Sequence, residues 1–136
     1  MDWINDRIAI GNHLEATDAE VISSGSFQAI LCLDGKLRGR SPADLAVEQI
    51  AVFDLIDGSG NDPSLFQEAV AALQQLVAEH SPVLVHCHAG RSRSPIVVAG
   101  YLVAEENLFP EDALAQVMQK RETKISSGLE ELLYWL

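Results

Sequence analysis

His86-Cys87-His88-Ala89-Gly90-Arg91-Ser92-Arg93-Ser94 is the stretch on which the fold turns. An apolar run, Val83-Leu84-Val85, leads into it, and an apolar helical pattern from Pro95 to Ala104 leads out. That order predicts a buried strand, a tight loop and a helix, with a cysteine at the strand's end. The spacing is Cys-x5-Arg, from Cys87 to Arg93, continued by Ser94. Gly90 permits a sharp backbone turn that a Cβ would obstruct. Amides in such a loop converge on one centre, and the helix behind adds the positive end of its dipole. The product is a cradle for a tetrahedral anion.

Each side chain of the stretch suits that cradle. Cations and helix N-termini favour the thiolate of a cysteine, which is its nucleophilic form, so Cys87 is the candidate nucleophile. The planar fork of Arg93 matches two phosphate oxygens and keeps its charge. Ser94 is placed to donate to the sulfur and help it leave a covalent phospho-intermediate, and His86 to brace the loop backbone through its ring nitrogens. His88, Ala89, Gly90, Arg91, Ser92 and Arg93 are the expected phosphate-binding residues. Arg91 adds a cation that either favours a more highly charged substrate or pairs with a surface acid. The Gly-x4-Gly-Lys-Ser/Thr nucleotide loop is absent.

Working outward, the chain has 136 residues, enough for one domain over 1–136 with a sizeable core. Its two cysteines, Cys32 and Cys87, lie too far apart in sequence to suggest a disulfide framework or a metal cluster. The N-terminal residues do not read as a signal peptide, and no stretch approaches a membrane span. A reducing cytoplasm suits a reactive thiol. A net charge of −11 argues against generic binding to nucleic acid or anionic membranes. Positive potential must therefore be concentrated locally, at the anion loop.

Arg7 to Gly11 reads as a short strand, and Thr17 to Glu20 as a capping box opening a helix that Gly25 closes. Phe27 to Leu33 is a buried strand carrying Cys32, and Lys36 to Asp44 a polar, solvated loop. Ile50 to Ile56 is the next strand, broken by Asp57-Gly58-Ser59-Gly60-Asn61-Asp62-Pro63. Helical spacing covers Pro63 to Ser81, where His80 suits a C-terminal cap. A helix opened by Pro110 carries Leu114, Val117, Met118 and Arg121 in line, and a last one carries Leu129, Leu132, Leu133 and Leu136. The class is α/β, a central, mostly parallel sheet of four to five strands flanked by helices on both faces.

A phosphate ester's leaving oxygen needs a proton, and a carboxylic acid in reach typically contributes about 10²–10⁴-fold. Asp54, Asp57 and Asp62 compete for that role. N-capping accounts for Asp62 without catalysis. Asp54 lies inside a strand, and Asp57 where a side chain can lean over the cradle.

The run from Val83 to Pro95 resembles the signature of cysteine-dependent protein tyrosine phosphatases, more specifically the dual-specificity branch. The likeness extends from Arg7-Ile8-Ala9-Ile10-Gly11-Asn12 to the terminal helix. It implies a phosphomonoester hydrolase with a cysteinyl-phosphate intermediate, no metal and no cofactor, working as a monomer on phosphorylated protein. It also selects Asp57, since the family's general acid follows this strand. The family includes enzymes of phosphoinositides and other phosphoesters, so a phospholipid headgroup or small phosphomonoester is the alternative. Some relatives hold a cysteine at the position of Cys32 that pairs with the oxidised nucleophile; a small core residue is the plainer role. An inactive phosphate-binding module and a rhodanese-like sulfur transferase are remoter readings.

Overall fold

The computed structural model describes residues 1–136. Its centre is a five-stranded sheet in the order β1-β2-β5-β3-β4, with β1 at Asp2–Trp3, β2 at Ile8–Gly11, β3 at Ala29–Cys32, β4 at Gln49–Val52 and β5 at Val83–His86. Only the β1–β2 pair is antiparallel. β5 therefore lies between two parallel neighbours and is buried along its whole length. That explains its unbroken apolar run, since a strand covered on both faces has no polar side to show.

Alternation along the strands sorts the core into two layers. Ile8, Ile10, Ala29, Leu31, Val83 and Val85 face the larger one, with α2 (Pro63–His80), α3 (Arg93–Glu106) and α4 (Pro110–Lys120). Ala9, Ile30, Cys32 and Leu84 face the smaller one, closed by the short α1 (Ala19–Ser24) and by 3-10 turns at Glu15–Thr17 and Pro42–Leu45. Helices thus cover both faces, though unequally. Within the larger layer α3 is buried almost all round. Gly100 at its middle lets α2 come close, because a Cβ there would meet Val70 Cγ2 at 2.8 Å. No helix is long and apolar enough to cross a membrane.

Several boundaries differ from the sequence expectation. The strand expected over Ile50–Ile56 leaves regular pairing after Val52, and the chain continues as irregular pairs, Phe53 N–H to Cys32 O and Leu55 N–H to Leu33 O. The N-cap of α1 is Asp18, which accepts from the amides of Glu20 and Val21, while Thr17 belongs to the preceding turn. The polar stretch 36–44 is exposed at Lys36, Arg38 and Arg40 as a solvated loop would be, but Leu37 is buried within it and Ser41 and Asp44 form a capping box. The last segment is a 3-10 helix, Glu130–Trp135; Leu129, Leu132 and Leu133 are buried but Leu136 is not. His80 lies 3.4 Å from Glu48 instead of capping its own helix.

Candidate active site

The loop between β5 and α3 is shaped by what its carbonyls bond to. His88 O accepts the amide of His13 at 2.9 Å, and Arg91 O that of Lys124 at 2.8 Å. Gly90 O accepts from Arg121 Nε at 2.5 Å and Ala89 O from Arg121 Nη2 at 3.2 Å. Four consecutive carbonyls are thus tied to the surrounding protein. In a trans peptide the N–H points away from the C=O, so the next four amides, 89 to 92, turn the other way. None of them donates to another backbone group, so they are free to serve an anion as donors. Gly90 holds φ +70°, and a Cβ there would overlap the Gly11 carbonyl, so only glycine fits the turn.

The start of α3 adds to those donors. Ser92 is its N-cap residue but makes no capping bond, since its hydroxyl accepts the Ser126 amide at 2.9 Å instead. The first turn of α3 therefore has no side-chain cap, an arrangement suited to an anion. Arg93 is half-buried, its Nη1 donating to Leu55 O at 3.1 Å. Arg93 Nε and Ser94 Oγ are buried without a hydrogen-bond partner. A buried donor left unpaired costs free energy, and a bound phosphate would supply the missing acceptor for Arg93.

One cleft of 330 Å³ collects Asp57, Cys87, His88, Ala89, Arg91, Ser92 and Arg93 with Lys124, Ile125 and Ser126. Of the three aspartates, Asp57 alone lines it. Asp62 caps α2 through the Ser64 amide at 2.9 Å, and Asp54 sits in an isolated bridge with Asp34. The Asp57 loop is closed by Asn61, whose side chain bonds both the amide and the carbonyl of Ile56 at 2.8 Å. Burial acts to raise the Asp57 pKa, but the Ser92 and Ser126 hydroxyls and the Arg93 guanidinium outweigh it. Its carboxyl consequently titrates below the ordinary range.

His86 is fully buried, with Nδ1 3.2 Å from Cys87 O, and burial holds its pKa below the imidazole norm. His88 is exposed; Lys36 Nζ reaches its Nδ1 at 2.6 Å, and its ring stacks on His13 at 4.3 Å. Arg91 pairs with Glu122 at 3.3 Å while still lining the cleft. Cys32 and Cys87 are both free thiols and pack in different layers, Cys32 in the smaller and Cys87 in the larger.

Sequence reading missed the most heavily bonded side chain of the site. Arg121 was placed on the apolar stripe of the helix opened by Pro110, yet its guanidinium is buried and bonds Gly90 O, Ala89 O, Ile10 O and Asp2 Oδ2. The one available signal was a cation at the end of an apolar stripe. Lys124 to Ser126, which also frame the cleft, carried no pattern at all.

The chain is similar to known proteins in sequence and in fold. The family model described as the dual specificity phosphatase catalytic domain matches residues 24–134. Dual specificity protein phosphatase 1 of Arabidopsis thaliana is 30% identical over 118 residues, covering 87% of this chain and 59% of that protein. The chain therefore spans less than two thirds of that relative's length. Among solved structures, human DUSP28 superposes with a TM-score of 0.84 at 19% identity, covering 98% of this chain and 93% of that one. A human tyrosine phosphatase-like serine/threonine/tyrosine-interacting protein superposes with a TM-score of 0.81 at 21% identity, covering 98% and 93% respectively. At such identities the superpositions speak for the fold, while the family match runs through β5, the loop and the helices that assemble the cleft. This chain belongs to the dual specificity phosphatase family.

Proposed function

We propose that the protein hydrolyses phosphomonoesters through a cysteinyl-phosphate intermediate and acts as a dual-specificity phosphatase on phosphotyrosine, phosphoserine and phosphothreonine. The observation that carries this reading is the convergence of Cys87, Arg93 and Asp57 on one cleft with the unpaired loop amides. The amides and the Arg93 fork hold the phosphoryl oxygens. Cys87 Sγ attacks phosphorus in line, the P–O bond to the leaving group breaks, and Asp57 gives that oxygen its proton. Water then attacks the thiophosphate, Asp57 takes a proton from it, and phosphate leaves with the thiolate restored. Positioning and charge stabilisation of a loose transition state supply most of the rate. Ser94 Oγ, buried and unpaired, is available to the leaving sulfur.

A second reading concerns substrate. Arg91, Lys124 and His88 line the same cleft, and Lys36 stands at its edge on His88. That rim favours a phosphomonoester carrying further negative charge, such as a phospholipid headgroup or a phosphoinositide, over a neutral peptide context.

The test is hydrolysis of para-nitrophenyl phosphate across pH by the wild type, Cys87→Ser and Asp57→Ala, with chelator present. Activity that vanishes in Cys87→Ser and loses its basic limb in Asp57→Ala supports both roles. An inactive wild type turns the reading to a phosphate-binding module, and an unaltered profile in Asp57→Ala removes Asp57 as the acid. Parallel assays on phosphopeptides and phosphoinositides separate the two substrate classes.

A further inference from the structure

Behind the phosphate loop, three side chains bring metal-ligating atoms close together. Cys32 ends β3, Asp34 follows two positions later, and His86 ends β5 as the register partner of Cys32. One donor atom from each lies within 4.8 Å of the others. Cys32 and His86 are fully buried, and the Asp34 side chain is 3% exposed.

The hydrogen-bond pattern shows what this cluster lacks. His86 Nδ1 faces Cys87 O, which can only accept, so Nδ1 is the nitrogen that carries hydrogen. The other nitrogen, Nε2, then offers a lone pair, and it is buried with no partner. Asp34 Oδ2 is likewise buried and unpartnered in hydrogen bonding. The other carboxylate oxygen, Oδ1, is held by the Cys32 thiol at 3.2 Å and the Lys36 amide at 3.1 Å. A sulfur, an oxygen and a nitrogen thus stand within 4.8 Å of one another away from solvent, and a cation is the partner that answers all of them.

We propose that Cys32, Asp34 and His86 form a binding site for one Zn²⁺ ion. Zinc takes sulfur, nitrogen and oxygen donors together, and three protein ligands leave its fourth position for water. Binding displaces the Cys32 proton to solvent, so thiolate and carboxylate cancel the two charges of the metal and the buried site is neutral. The second shell is already present: a backbone carbonyl accepts the Nδ1 hydrogen of His86, as metal-bound histidines require, and the Lys36 amide fixes Asp34. The Lys36 ammonium lies 3.8 Å from Asp34 Oδ2 and closer, at 2.6 Å, to His88 Nδ1. The site stands independently of the catalytic reading, because no ligand is one of its reacting groups. It would fix the ring that braces the nucleophile's own carbonyl.

The experiment uses full-length Cys87→Ser protein, in which Cys32 is the one remaining cysteine. Zn²⁺ is titrated against a chromophoric chelator, and Co²⁺ is added in its place for absorption. The expected result is one Zn²⁺ per chain at micromolar affinity or tighter, a raised melting temperature, and a thiolate-to-cobalt charge-transfer band. Binding is lost in Asp34→Asn and in Cys32→Ala, each checked for folding by its metal-free melt. Absence of tight binding, or a cobalt spectrum without the thiolate band, overturns the proposal. Binding that survives both variants but disappears in His13→Ala places the ion on the surface histidines and equally overturns it. Since the cobalt band needs no variant at the ligands, the proposal is decided even if one of them fails to fold.

Discussion

Replacing Arg121 tests whether the phosphate loop is held from outside. Its guanidinium is buried and bonds two loop carbonyls, one carbonyl of β2 and the Asp2 carboxylate. Hydrogen bonds to a charged group contribute about 1.5–3 kcal/mol each, and a buried acceptor left unpaired costs roughly 1–3 kcal/mol. These terms do not add, and breaking a buried charged network typically costs about 3–5 kcal/mol. Arg121→Met should therefore destabilise the protein by about 3–5 kcal/mol. At this size each kcal/mol lowers the melting temperature by roughly 3–4 °C, so the drop should be about 9–20 °C. Catalysis should suffer separately. With Gly90 O and Ala89 O released, the amides of residues 91 and 90 lose their fixed setting, and displacement of that kind costs on the order of 10²-fold in kcat/KM. Arg121→Lys keeps the charge without the fork and should fall between. Calorimetric melts and para-nitrophenyl phosphate kinetics, run well below each variant's melting point, read the two effects. An Arg121→Met protein melting within about 2 °C of wild type with unimpaired kcat/KM would refute the argument.

Three other outcomes are expected. Because hydroxyls hold the Asp57 carboxyl below its ordinary pKa and a general acid works only when protonated, activity should fall as pH rises through that low value; Ser126→Ala, removing one hydroxyl, should move the basic limb of kcat/KM to higher pH. Gly90→Ala must hold an alanine at φ +70° against the Gly11 carbonyl, and should lose about 2 kcal/mol or more in urea unfolding along with nearly all activity. Asp62→Ala removes the cap of α2 and should cost about 1 kcal/mol in the same assay while leaving the pH profile of hydrolysis unchanged.

The parts of the site that were legible in sequence are local. Val83 to Ser94 announces strand, loop and helix because burial on both faces, a turn glycine and an apolar helix leave separate marks within a few residues. The capping role of Asp62 was readable from the sequence, since a carboxylate before Pro63 at a helix start is a capping pattern, and the structure shows that cap. Asp57 needed the resemblance as well, because the expected strand ran on to Ile56 while the regular ladder stops at Val52. Apolarity could not show that end: Phe53 and Leu55 still pack inward after the pairing becomes irregular. Arg121, Lys124 and Ser126 were not legible because their partners lie in the loop, some thirty residues earlier, and are brought near only when α4 docks on α3. The Cys32–Asp34–His86 cluster was hidden for the same reason, as it depends on β3 lying beside β5.

The outward bonds of the phosphate loop bear on how the protein is made. The loop is pinned by His13, which is synthesised before it, and by Arg121, Lys124 and Ser126, which are synthesised some thirty residues after it. A nascent chain that has passed Ser94 already carries the nucleophile and its arginine, yet lacks the guanidinium and amides that hold the loop's donors in place. Until those later residues emerge, Cys87 is thus displayed on a ribbon without a formed pocket. The pocket closes only once residues 121 to 126 have left the ribosome, so stalled chains that still hold this segment in the exit tunnel should bind vanadate far more weakly than stalled chains in which an added linker carries it clear.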